Sequence, residues 1–163
     1  MIDEVKLLAL DIKEVALITL IHAAHKLMTG RGLLAMLREA ARMTVRSLIV
    51  DRAKASSIED NLKVLDSLLT QFEPLKTASY VHSQLLGDEI RIEIRDCAFH
   101  KICTVIENFL KKRPDLQKMI QARPCAIAIL YVAAIEQIHL KEYDIMHVEF
   151  GSPCRIILKE VKL

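Results

Sequence analysis

The sequence predicts an α+β domain, an antiparallel sheet of two hairpins with helices packed on it. Three observations carry this. Helix-period apolar patterns lie at 13–28, 33–50 and 58–72, hairpin patterns at 78–95 and 142–162, and two more helical patterns separate the hairpins. A chain of 163 residues fits one domain, 1–163, with N-terminal helices over 1–50 and the α+β core over 51–163.

The elements follow in order. Residues 13–28, KEVALITLIHAAHKLM, are apolar on most faces, so this helix is expected to be largely buried. TGRG breaks it. Residues 33–50 form a second helix, with Leu33, Leu37, Ala40, Ala41, Val45 and Leu48 at helical spacing. Its Arg38, Arg42 and Arg46 fall four apart and make one basic stripe, read either as a solvated face or as a seat for an anionic partner. Ser57 with Asp60 resembles a capping box and opens a helix over 58–72, which Pro74 ends. Strands over 78–84 and 89–95 flank a turn at LLGD, with Ile90, Ile92 and Ile94 on one face and Glu89, Arg91, Glu93 and Arg95 on the other. A helix from Ala98 to about Lys112 follows, then one from Pro124 to about Leu140, where proline suits the first turn. Strands over 142–149 and 154–162 close the chain around FGSP.

Composition narrows the function classes. A net charge of +2 is too small to indicate nucleic-acid or membrane-surface binding. The most apolar stretch, Val15 to Met28, is short of a bilayer span and holds His22, His25 and Lys26, so no membrane span is expected. The start MIDEVK lacks the basic opening of a signal peptide, and a cytoplasmic chain is expected. There, the four cysteines read as buried thiols or metal ligands rather than disulfides. No phosphate loop, nucleophile elbow or His-Glu-x-x-His appears, so the chain is not expected to be an enzyme.

Two constellations carry metal-ligand chemistry. In DIMHVEFGSPC, Asp144, His147 and Cys154 crowd one turn, and Cys125 opens the preceding helix. One acid, one imidazole and two thiolates suit tetrahedral zinc. A regular strand puts Asp144 and His147 on opposite faces, so the set needs a bulge or a strand end. The plainer reading is a hairpin with a histidine and a buried thiol. In DCAFHKIC, Cys97, His100 and Cys103 recur every three residues, which drifts round a helix by about 60° per step, so the two cysteines read as core residues and His100 as surface. His22 and His25, on an apolar helix, read as structural.

Over roughly residues 30–160 the chain resembles the 4-vinyl-reductase domain family, whose fold is shared by small Golgi-tethering transport-complex subunits and haem-type nitric-oxide sensors. The likeness rests on Asp96-Cys97-Ala98-Phe99 after the first hairpin. It rests also on the small residues Ala126, Ala128, Ala133 and Ala134, and on the closing Asp144, His147, Gly151-Ser152 and Cys154-Arg155. The turn is one residue shorter than the family pattern, and alanines replace the family's helix glycines. The resemblance implies a zinc clip at Cys125, Asp144, His147 and Cys154, structural rather than catalytic.

It also implies a non-enzymatic module that binds a small hydrophobic ligand as a sensory or regulatory domain. Such a ligand is expected against Ala126, Ile129, Leu130 and Ala133. Tight helix packing with no cavity is the alternative for the same alanines. A homodimeric scaffold or adaptor without a ligand is the competing function. The all-round apolar character of residues 15–28 points to a homodimer built on the N-terminal helices, through Leu17, Leu20, Ile21 and residues near Leu34.

Overall fold

A computed structural model describes residues 30–50, 57–101, 103, 104, 108 and 125–162. Within them the protein is α+β, with three helices and a four-stranded antiparallel sheet on which helices pack. The first strands are β1 (Tyr80–Leu86) and β2 (Glu89–Arg95), and the closing pair is β3 (Tyr143–Glu149) and β4 (Cys154–Glu160). The sheet order is β1-β2-β4-β3, so the two predicted hairpins join through β2 and β4.

Alternation gives the sheet one dry face. Val81, Ile90, Ile92, Ile94, Ile145, Val148, Ile156 and Leu158 point to the core. The wet face pairs opposite charges across strands, Glu93 with Arg155 and Glu89 with Lys159, which discourages register slip. Strand β1 runs two residues later than the sequence predicts. Pairing continues to Leu86 opposite Glu89, and Gly87 at φ +66° lets two residues make the turn where four are expected.

Helix α1 (Gly30–Thr44) runs into a π-helical turn, Val45–Ile49, closed by Val50 N–H donating to Val45 O at 2.9 Å. Val45 and Ile49 are both fully buried. Helix α2 (Ile58–Gln71) opens at Ser57, whose Oγ accepts Asp60 N–H at 3.1 Å, and packs Leu62, Leu65 and Leu69 into the core. Helix α3 (Ala126–His139) buries every residue from Ile127 to Ile135. A helix apolar on all sides must be covered on all sides, and here the sheet, α1 and α2 share that task.

The basic stripe, Arg38 and Arg42 of α1 with Arg46 of the π-helical turn, stays partly exposed yet pairs with its own chain. Arg42 Nη2 lies 3.2 Å from Glu136 Oε2, Arg46 Nε donates to Gln137 Oε1 at 3.3 Å, and Arg38 Nη2 lies 3.3 Å from Asp144 Oδ1. The three arginines dock α1 onto α3 and β3. A second polar cluster sits deeper. The Asp66 carboxylate accepts Ser83 N–H at 2.8 Å, Ser83 Oγ–H at 2.6 Å and the Tyr131 hydroxyl, and so ties α2, β1 and α3 together.

The predicted helix over 13–28 and the interface residues Leu17, Leu20 and Ile21 lie outside the described residues. Of the predicted helix after Ala98, His100, Lys101, Cys103, Thr104 and Asn108 are described, and they are helical.

Candidate functional site

Two features stand side by side at the N-terminal end of α3. The first is an apolar cleft of about 480 Å³, open to solvent. Leu37, Ala40 and Ala41 of α1 form one wall, and Leu75 with Thr77, from the segment after α2, form another. Ala126, Ile129 and Leu130 of α3 form the third, with Phe99 beside them. Small side chains on α1 and α3 keep the helices from filling this space. Among the described residues the Thr77 hydroxyl is buried without a hydrogen-bond partner. An apolar cleft matches the greasy part of the usual make-up of a small-molecule site. Of the four ligand residues expected from the sequence, Ala126, Ile129 and Leu130 line the cleft. Ala133 is buried one turn further along α3 and does not.

The second feature is a void of about 10 Å³ lined by all four cysteines of the chain, with Ile94, Phe99, His100 and Phe150 around them. Cys97 follows β2 at a sharp bend, where Asp96 takes φ +50° and accepts the Ser79 hydroxyl at 2.6 Å. Cys103 lies about one and a half turns into the helix that follows. Cys125 is the N-cap of α3, and Cys154 opens β4 opposite Ile94. All four are free thiols, and Cys103, Cys125 and Cys154 are buried. Burial pushes every one of them up: Cys125 to about 11, Cys154 to about 12, Cys103 further, and Cys97 as well. The backbone N–H groups of Ala128 and Ile127 at the start of α3 pull Cys125 partly back. Charge on any one thiol also disfavours charge on the others, since Cys103 and Cys154 each feel Cys125 and Cys97.

The zinc set expected from the sequence is not brought together. The bulge it requires is present, between Ile145 and His147. It puts Asp144 and His147 on the same side, but that side is the wet one, with Asp144 paired to Arg38. Cys154 points to the dry face and Cys125 lies beneath it. A strand's period of two keeps those faces apart. Among the described residues, no three His, Cys, Asp or Glu side chains stand close enough to hold an ion as they are. What the sequence reading missed is that its two cysteine constellations are one. Cys97 and Cys103, read as core residues, share a void with Cys125 and Cys154. Only their number, four in the whole chain, hinted at it.

Fold and pockets together define a small α+β domain with an apolar cleft and an adjoining thiol pocket. The chain belongs to the family described as Putative rubredoxin C-terminal domain, whose model matches residues 14–162. The match is to that family and not to the 4-vinyl-reductase family that the motifs resemble. No curated protein matches the chain. Among the described residues no helix is long and apolar enough to cross a membrane.

Proposed function

We propose that this domain is a non-enzymatic binding module that holds a small hydrophobic molecule in the cleft between α1 and α3. The cleft carries the reading. Its volume of about 480 Å³ falls within the roughly 300–1,000 Å³ usual for small-molecule sites, and its walls are almost entirely aliphatic. Four free thiols support a reducing compartment such as the cytoplasm. Of the expected zinc set, only Cys125 and Cys154 share a pocket.

The test is native mass spectrometry of freshly purified protein together with titration by a neutral apolar fluorophore such as N-phenylnaphthylamine. A co-purified lipid-like mass and saturable fluorophore binding are expected. Ala40→Phe, at an exposed lining position, should fill the cleft and abolish binding without disturbing the core. Thr77→Val keeps the shape of the cleft wall and should leave fluorophore binding in place. A clean ligand-free dimer with no saturable binding would favour the homodimeric scaffold instead.

A further inference from the structure

We propose, resting on the cleft as a small-molecule site, that Phe99 is the stop that sets the length of the ligand, and that this ligand is an elongated aliphatic chain. The cleft and the thiol void share two lining residues, Phe99 and Ala126. Alanine ends at its Cβ, so the Phe99 side chain supplies the bulk of the wall that the two spaces have in common. Its backbone is pinned from two sides. Ala98 N–H donates to Thr77 O at 2.7 Å, which ties the turn to another wall of the cleft. Phe99 O accepts Cys103 N–H at 2.8 Å, which opens the helix after β2. The ring is half-buried and packs against the core. A ring on a pinned backbone with core contacts serves as an end wall rather than as a flap.

The shape and chemistry of the cleft point to the ligand class. Leu37, Ala40, Ala41 and Thr44 line it along two turns of α1, a run of about 10 Å at the helical rise. Among the described lining residues none carries a charge, and Phe99 is the one aromatic ring. Such walls hold methylenes by contact and offer a flat ring little to stack on. Behind Phe99 lie Ile94, Phe150 and the cysteines, with His100 exposed to solvent. Burial raises all four thiols, so they stay neutral near pH 7, and a neutral buried thiol behaves as a small hydrophobe. The space behind the stop is therefore nearly as apolar as the cleft. At about 10 Å³ it holds no more than one water-sized group. Bulk at Phe99, not a change of polarity, is what ends the site.

The experiment uses the full chain, reduced. Straight-chain alcohols from hexanol to tetradecanol compete against bound N-phenylnaphthylamine. Each added methylene should tighten binding about fourfold until the chain end meets Phe99, and longer alcohols should gain nothing further. Phe99→Ala joins the two spaces, and the gain should continue past the wild-type limit. Phe99→Trp should bring the limit to a shorter alcohol. Circular dichroism reports whether each variant folds. Phe99→Leu keeps part of the core contact and stands in for the alanine variant if that one does not fold, with a smaller shift in the same direction. A ring that only supports the fold would lower affinity equally at every length. An unmoved limit in the alanine or leucine variant therefore overturns the proposal, whatever the affinities. A wild-type series without a limit overturns it too. Saturable fluorophore binding with an unmoved limit removes the role of Phe99 alone. No saturable binding by the wild-type protein removes the cleft as a ligand site, and this proposal with it.

Discussion

Tyr131 shows how one residue's surroundings set its chemistry. It is fully buried on α3, and its hydroxyl donates to Asp66. Burial first, then the Asp66 charge and hydrogen bond, hold its phenol well above the usual range. The unfolded chain therefore loses this proton near pH 10 while the folded chain keeps it. The stability Tyr131 contributes is complete below about pH 10 and falls as pH rises past it. Tyr131→Phe should cost about 2 kcal/mol at neutral pH, and that gap should narrow above about pH 10. Urea midpoints measured from about pH 8 to 11 check it, and a constant gap would refute it. Leu140 is the opposite case, a residue in the wrong conformation for its type. It caps α3 at φ +55° and is 90% exposed. Glycine takes that backbone without the Cβ strain that leucine meets. Leu140→Gly should raise stability by about 0.5–1 kcal/mol in denaturant melts, the strain relieved exceeding the added freedom of the unfolded chain.

Each element is legible in the sequence to the degree that its signal is local. The Ser57–Asp60 pair announces α2, and the hydroxyl caps it as expected, also donating to Asp60 Oδ2 at 2.9 Å. Ser57→Ala should lower stability by about 1 kcal/mol, and Ser57→Asp should recover most of it. An unchanged urea midpoint in the alanine variant would mean that other contacts fix the start of α2. The isoleucines of β2 announce their face equally well. The bulge of β3 is different. The sequence shows only that Asp144 and His147 need one to share a side; it does not show which side results. The arginine stripe is also ambiguous alone, because a row of cations looks the same whether it meets only water or, as here, also pairs at a partly exposed surface with Glu136, Gln137 and Asp144.

At the scale of the molecule, α3 is the axis. It has the sheet on one side, α1 on another, the cleft along its first turn and the thiol void at its N-cap. Residues 15–28 are apolar almost all round, and either a compact monomer or a second copy of the chain must cover them. We expect a closed two-fold dimer through them. Light scattering on dilute protein should give twice the 18.5 kDa chain mass, and a species at the chain mass would sink the expectation. Leu20→Asp should then yield a folded monomer. An intact dimer would put the interface elsewhere, and an unfolded chain would put Leu20 in the core.

The sequence by itself determined the α+β class, the two hairpins, the wet and dry faces of β2 and the caps of α2. Those features rest on periods of two and 3.6 residues and on short-range hydrogen bonds, which neighbours in the chain decide. It also marked Ala126, Ile129 and Leu130 on the helix that borders the cleft. Only the tertiary structure decided that Cys97, Cys103, Cys125 and Cys154 line one void, while Asp144 and His147 turn away from Cys154. Helical drift argued against Cys97 and Cys103 joining His100, and strand alternation left the side of the bulge open. Both questions are settled by how β2, α3 and β4 pack. Such contacts link residues up to 57 positions apart, from Cys97 to Cys154, and no local pattern encodes them.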